Sequence, residues 1–132
     1  MNWFKSFIHR KRRILVIEDD VQIAMLLSLF LKKHGFRVDW GKDGLEGWEK
    51  FQAAPPDLVL LDITMPRMSG FEVLEKIKTN PKNSSVPVVM CTDHTTLKDV
   101  EGSNMLGAGG YILKPFDLDR VLAKVRSVLE GR

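Results

Sequence analysis

Short runs of apolar, often β-branched residues alternate along the chain with longer stretches in which apolar residues recur at helical spacing. The short runs predict buried strands, and the longer stretches predict amphipathic helices. The predicted strands are Arg13–Ile17, Phe36–Trp40, Leu58–Leu61, Val86–Cys91 and Tyr111–Leu113. The predicted helices are Val21–His34, Gly44–Ala53, Gly70–Thr79, Thr95–Leu106 and Leu118–Leu129. The chain therefore has a β-α rhythm repeated five times.

Residues that start and stop helices support these boundaries. Asp20 directly precedes the first helix and can cap it, and Gly35 can end it. Pro55-Pro56 and Pro81 follow the second and third helices and would stop them. Strands that alternate with helices over short links pair in parallel through right-handed crossovers, with helices on both faces of the sheet. The pattern predicts an α/β domain with a doubly wound, five-stranded parallel sheet.

The charge is unevenly distributed. The chain of 132 residues carries 20 basic and 17 acidic side chains. Five of the basic side chains precede position 14, where there is no acid; they are Lys5, Arg10, Lys11, Arg12 and Arg13. Without those five the balance is 15 against 17, or −2, so composition does not suggest a nucleic-acid-binding surface. One cysteine and no secretory segment favour a reducing, cytoplasmic setting.

Residues 1–12 form a basic amphipathic extension, and residues 13–132 form the domain. In the extension, Trp3, Phe4, Phe7 and Ile8 share one helical face beside positive charge, a pattern that can lie on an anionic membrane surface. It is too short to span a bilayer. The alternatives are a flexible leader, a helix docked on the domain or on a partner, or a cloning remnant.

Polar side chains follow the predicted strands where each strand ends. In doubly wound sheets, ligands bind beyond the carboxyl ends of the strands, so these side chains are expected to converge. They are Glu18, Asp19, Asp20, Asp62, Thr92 and Lys114. Alternatively, the acidic pair is a helix cap with a solvated neighbour, the lysine is an ordinary surface residue, and the threonine caps a turn.

Carboxylates that face one small space repel each other, and a divalent cation with oxygen ligands relieves that repulsion. Mg²⁺ is the natural candidate, since it needs only a few protein ligands and bridges to phosphate oxygens. Asp62 could then attack phosphorus as a nucleophile. Lys114 would neutralise the developing charge, and the Thr92 hydroxyl would donate to a phosphoryl oxygen.

Four segments, in order and correctly separated, carry a family resemblance. They are Glu18-Asp19-Asp20, Leu60–Gly70 (LLDITMPRMSG), Pro87–Thr92 (PVVMCT) and Gly107–Phe116 (GAGGYILKPF). From about Arg13 to Leu129 the sequence resembles a response regulator receiver domain of two-component signalling, similar to the single-domain chemotaxis regulators. The resemblance implies a flavodoxin-like (βα)5 fold with strand order 2-1-3-4-5.

The resemblance also implies a set of roles. Asp62 is the phosphoacceptor, and Asp19, Asp20, Asp62 and the backbone carbonyl of Thr64 hold Mg²⁺, for which Mn²⁺ can substitute. Thr92 and Tyr111 are the switch pair, although Tyr111 is also explained as ordinary packing. The donor is a phosphohistidine on a sensor histidine kinase or a phosphotransfer protein, and the output is an altered face for a downstream protein. The chain would catalyse its own phosphorylation and dephosphorylation as a monomer or weak dimer, without turnover of an external substrate.

One residue departs from the family pattern. After the switch threonine the family usually has a small residue, and here the position holds Asp93. A carboxylate there could hinder access or repel a phosphodonor and so alter phosphorylation kinetics. Alternatively, Asp93 caps the helix that follows.

Two other functions of similar folds fit these residues less well. Phosphatases of the haloacid dehalogenase type need a second aspartate two residues after the nucleophile, where this chain has Thr64. A flavin-binding protein would need a hydroxyl- and glycine-rich phosphate loop where this chain has acids. The remaining alternative is a receiver-like module that binds proteins without phosphorylation.

Overall fold

The computed structural model describes residues 10–93 and 107–131. Five strands and four helices are found in this part of the chain. The strands are β1 (Arg13–Ile17), β2 (Arg37–Gly41), β3 (Leu58–Leu61), β4 (Val88–Thr92) and β5 (Gly110–Leu113). The helices are α1 (Val21–Lys33), α2 (Gly44–Ala53), α3 (Gly70–Thr79) and α4 (Leu118–Glu130). The helix predicted at Thr95–Leu106 and most of the extension lie outside the described residues.

The strands form one parallel sheet in the order β2-β1-β3-β4-β5. This confirms the predicted doubly wound, flavodoxin-like architecture and its strand order. Two strands begin later than predicted. The N–H of Phe36 still closes α1 by donating to Leu31 O at 3.1 Å, and the N–H of Val86 donates within a turn to Asn83 O at 3.1 Å.

Both faces of the sheet are buried under helices. Successive residues of a strand point to opposite faces, so each central strand contributes to two separate cores. On one face Val16, Leu60 and Cys91 pack with side chains from α1 and α4. On the other face Ile17 and Leu61 pack with side chains from α2 and α3. Each buried aliphatic side chain contributes about 1.5–3 kcal/mol, which explains why these strands are apolar throughout.

The helix ends have the predicted capping residues. Asp20 is the N-cap of α1, and its Oδ1 accepts hydrogen bonds from the backbone N–H groups of Gln22 at 2.9 Å and Ile23 at 3.2 Å. Gly35 follows the same helix with φ +94°, a conformation that glycine adopts without strain. Among the helices described, none has the length and apolarity needed to cross a membrane.

Candidate functional site

A cavity of about 460 Å³ opens at the carboxyl edge of the sheet. Parallel strands end at the same edge, so the residues after β1, β3 and β5 meet there. The lining residues are Glu18, Asp19, Asp20, Ile23, Asp62, Thr64, Asp93 and Lys114. The structure thus brings together the acids and the lysine that the sequence analysis placed at this edge.

The centre of the cavity is an ion-paired cluster of two carboxylates and one ammonium. Lys114 Nζ lies 2.6 Å from Glu18 Oε1 and 3.6 Å from Asp62 Oδ2. The two acids are almost fully buried, at 3% and 6% exposure. The second oxygen of Glu18 accepts a hydrogen bond from the N–H of Asp20 at 3.1 Å. Lys114 is therefore held between Glu18 and Asp62 in a water-poor setting, where charges interact strongly.

The pKa values in this cluster reflect burial and crowding. Burial raises the pKa of Glu18 from 4.5 to about 7, with a further increase from the charge of Asp62, and the hydrogen bond from Lys114 only partly offsets this. Burial alone would lower the pKa of Lys114, but its hydrogen bond to Glu18 and the charge of Asp62 outweigh that effect and raise it. Lys114 is therefore cationic at neutral pH.

Glu18 should make stability depend on pH. Between pH 4.5 and about 7 the folded protein retains a proton that the unfolded chain releases, so the free energy of unfolding falls as pH rises through this window. The Glu18→Gln variant lacks this titration. Across this pH window, the free energy of unfolding of the wild type should fall by up to about 3 kcal/mol relative to that of the variant. Urea unfolding without divalent cations measures both. A difference that does not change with pH would contradict this prediction.

Three carboxylates are arranged as metal ligands would be. One oxygen from each of Glu18, Asp19 and Asp62 lies within 4.8 Å of the others. Hard oxygen donors in this number suit Mg²⁺, so the residues present fit the predicted ion. Thr64, whose carbonyl was assigned to the metal from the family resemblance, lines the same cavity.

The two acids of the predicted metal-binding pair have different surroundings in the structure. Asp20 was paired with Asp19 as a metal ligand, but its carboxylate caps α1 and is not part of the three-acid group. The acid that joins Asp19 is Glu18, whose N–H continues the sheet by donating to Gly41 O at 3.1 Å. The cap signal was already present in the sequence, since an acid directly before a helix tends to bond to that helix. The carboxylate cluster therefore favours Glu18 as the partner of Asp19, while Asp20, which also lines the cavity, stays a predicted ligand.

The remaining predicted residues are placed as follows. Thr92 is the last residue of β4, although its side chain lies outside the described part. Tyr111 is half-buried in β5 and packs against the core shared by α2 and α3. Asp93 is exposed and lines the cavity, as expected for a residue at its rim. Cys91 is buried in the core, and burial raises the pKa of its thiol to about 12.

The loop after β3 fixes the position of Asp62. The N–H of Asp62 donates to Ile17 O at 3.0 Å, and the N–H of Gly70 donates back to Ile63 O at 2.7 Å. A Cβ atom on Gly70 would lie only 2.0 Å from Asp62 O, so the loop closes tightly where α3 begins. Gly70 is part of the segment that carries the family resemblance, but nothing in the sequence indicates the close approach that requires a glycine there.

A tryptophan on the edge strand β2 bonds to the loop Glu18-Asp19-Asp20, which we call the acidic loop. Trp40 Nε1 donates a hydrogen bond to the backbone carbonyl of Glu18 at 2.7 Å. The carbonyl of Trp40 in turn accepts from Lys50 Nζ at 2.6 Å. This connection between β2 and the acidic loop was not foreseen, because it depends on the pairing register of Val16 with Trp40.

Comparison with known proteins gives a consistent result. The family model described as the response regulator receiver domain matches residues 14–126. The chain is 40% identical over 120 residues to the transcriptional regulatory protein QseB of Haemophilus influenzae, covering 91% of this chain and 53% of that protein. It is 39% identical over 121 residues to the chemotaxis protein CheY of Treponema pallidum, covering 89% and 83%.

Solved structures agree with the sequence relatives. A CheY-like receiver domain protein from Methanospirillum hungatei superposes with a TM-score of 0.86 at 30% identity, covering 92% of this chain and 95% of that one. Chemotaxis protein CheY4 of Vibrio cholerae gives 0.85 at 28% identity, covering 89% and 98%. The chain spans about half the length of several curated relatives that it matches, which are transcriptional regulators.

Proposed function

The chain belongs to the response regulator receiver domain family of two-component systems, and from this premise we propose that it is a switch phosphorylated on Asp62. The observation that carries the proposal is the buried carboxylate of Asp62, 3.6 Å from Lys114 Nζ in a cavity that also holds Glu18 and Asp19. A nucleophile, a fixed cation and further oxygen donors are what transfer of a phosphoryl group to a carboxylate requires.

In the proposed reaction, an oxygen of Asp62 attacks the phosphorus of a phosphohistidine. The O–P bond forms as the N–P bond breaks, and the electron pair leaves with the imidazole nitrogen, which takes a proton from solvent. Lys114, held by Glu18, is positioned to move toward the new phosphoryl oxygens, because a lysine ammonium on a flexible stem can change partner. Bound Mg²⁺, held by Asp19, Asp62, the Thr64 carbonyl and Glu18, would neutralise charge on those oxygens.

The proposed donor is a sensor histidine kinase or a histidine phosphotransfer protein in the cytoplasm. Thr92 at the end of β4 would respond to the phosphoryl group, and Tyr111 in β5 would follow it. That change would alter the face presented to a downstream protein. A difference of a few kcal/mol between two conformations is enough to shift the population. The chain would act as a monomer or weak dimer and, through this domain alone, without nucleic acid.

The test is intact mass spectrometry after incubation with a promiscuous histidine kinase, with and without Mg²⁺. The expected result is one phosphoryl adduct that needs the metal and that borohydride reduces, since borohydride attacks acyl phosphates. If no adduct forms with any of several competent donors, the proposed phosphorylation switch is wrong. It would favour instead a receiver-like module that binds proteins without phosphorylation.

Asp93 at the cavity rim should slow phosphorylation. Removing its charge in Asp93→Ala is expected to accelerate labelling by a small anionic donor, such as acetyl phosphate, by up to about tenfold at low ionic strength. The acceleration should shrink as salt screens the charge. Asp93→Asn provides the matched control, because asparagine keeps the capping ability but not the charge. If only the alanine variant differs from wild type, Asp93 acts as a helix cap and not through its charge.

A further inference from the structure

The outer surface of α1 is unusually apolar. Val21, Met25 and Leu29 are 53%, 56% and 65% exposed. Because residues four apart lie above one another on a helix, the three form a single stripe, and exposed Leu26 lies on the same helix. Four of the six large apolar side chains exposed in the described part of the chain thus belong to α1. A contiguous patch of this kind marks a surface that something covers.

A groove lies between this stripe and the edge of the sheet. It has a volume of about 300 Å³, and we call it the α1–β2 groove; its lining residues are Ala24, Met25, Ser28, Leu29, Lys32, Val38 and Trp40. Val38 and Trp40 also pack against the core. Since β2 is the first strand of the sheet order, no described strand covers its outer side. The groove is therefore apolar and open, with Lys32 as its single charged side chain.

We infer that residues 1–9 of this chain dock in the α1–β2 groove and cover the apolar stripe of α1. The point of entry supports this. The carbonyl of Arg12 accepts a hydrogen bond from the N–H of Arg37 at 2.9 Å, so the chain reaches β1 beside the start of β2, one residue from Val38. Helix α1 runs back against β1, which places Lys32 and the end of the groove at the same edge of the sheet.

The composition and reach of the segment match the groove. Trp3, Phe4, Phe7 and Ile8 are apolar, and their sequence spacing would place them on one face if the segment formed a helix. A groove lined mostly by apolar side chains would offer that face a partner. Nine residues span about 14 Å as a helix or about 30 Å when extended, enough to reach along Val38 and Trp40. A short tether also gives the segment an effective concentration in the millimolar range, so weak contacts suffice.

Docking would give the extension a role that does not depend on phosphorylation. A segment that lies over Met25 and Leu29 competes with any protein that would bind the same stripe. Two other arrangements are possible. The segment could bind an anionic membrane surface instead of the groove, or a second copy of the chain could occupy the groove. Disulfide trapping separates these three possibilities.

Disulfide trapping in the full-length chain tests the proposal. In a Cys91→Ala background, Ser6→Cys is combined with Ser28→Cys in the groove or, as control, with Ser127→Cys on α4 beside the opposite edge strand β5. Under limiting oxidant and dilute protein, the Ser28 pair is expected to close within one chain about tenfold faster than the control pair. Intact mass and free-thiol counts on the monomer measure the rate.

Substitutions in the groove provide the second arm. Adding Met25→Ser and Leu29→Ser to the Ser28 pair is expected to reduce the closure rate about tenfold, because the apolar contacts are gone. Equal rates for the Ser28 and Ser127 pairs would overturn the proposal, as would an unchanged rate after the groove substitutions. Disulfide-linked dimers as the main product would indicate that a second copy of the chain occupies the groove. Equal closure rates for the two pairs, together with cosedimentation of the protein with phosphatidylglycerol vesicles, would indicate that the segment binds a membrane. Either result makes the proposal wrong.

Discussion

Replacing Asp62 by asparagine is expected to abolish the phosphoryl adduct with every donor. Asparagine keeps the size of the side chain but has no anionic oxygen to attack phosphorus. The same change removes a negative charge beside Glu18, whose pKa the charge of Asp62 raises. Relief of that repulsion opposes the loss of the ion pair between Asp62 and Lys114, so the melting temperature should stay close to that of the wild type. Loss of labelling without loss of stability would thus identify a chemical role and not a structural one.

The matched control is Asp93→Asn, which changes an exposed acid on the rim of the same cavity. It should still form the adduct. Intact mass after kinase treatment measures both variants, and thermal unfolding followed by circular dichroism checks their stability. Continued labelling of the Asp62 variant at the wild-type level would mean that another acid of the cluster, Glu18 or Asp19, accepts the phosphoryl group.

Replacing Gly70 by alanine is expected to damage both the fold and the site. The added methyl would lie 2.0 Å from Asp62 O and 2.7 Å from Ile63 Cα, and neither backbone atom can move like the end of a flexible side chain. We expect the free energy of unfolding to fall by about 3 kcal/mol, the upper part of the usual range for overpacking. Because the displaced backbone is that of Asp62, the rate of phosphorylation should fall as well.

Gly109→Ala serves as the control, since its nearest contacts would be at ordinary distances of 3.6–4.0 Å. Its stability should stay within about 0.5 kcal/mol of the wild type, as for most surface changes. Urea unfolding compares the two variants, and acetyl phosphate labelling compares their activity. Equal stability of the Gly70 and Gly109 variants would show that the loop after β3 has room for a side chain.

Local pattern was enough to predict most of the fold, because the strands and helices of this chain repeat with clear periods. The buried runs at Leu58–Leu61 and Arg13–Ile17 match β3 and β1 residue for residue. The later starts of β2 and β4 were missed because they depend on single hydrogen bonds at the preceding turns, such as that from Phe36 to Leu31. Such bonds follow from the packed backbone and leave little trace in hydrophobic periodicity.

The site was predictable in outline for a different reason. Parallel strands bring their carboxyl ends to one edge, so acids after β1 and β3 and a lysine after β5 meet regardless of the details. All three consecutive acids line the cavity, and which of them join Asp62 in the carboxylate cluster is a finer question. Asp20 bonds to α1 and Glu18 turns toward Lys114, a choice made by the ion pair across 96 positions of sequence. Only the assembled sheet shows that contact.

The hydrogen bond from the Trp40 indole to the Glu18 carbonyl gives this protein a built-in optical reporter. Indole emission responds to the polarity around the ring and to the strength of the bond at its nitrogen. Trp40 bonds to the backbone carbonyl of Glu18, the residue whose carboxylate pairs with Lys114, whereas Trp48 stacks on Phe51 at a ring distance of 5.7 Å on the other face of the sheet. With Trp3 and Trp48 replaced by phenylalanine, rearrangement of the segment Glu18-Asp19-Asp20 can therefore be followed in real time by fluorescence, without attaching a dye.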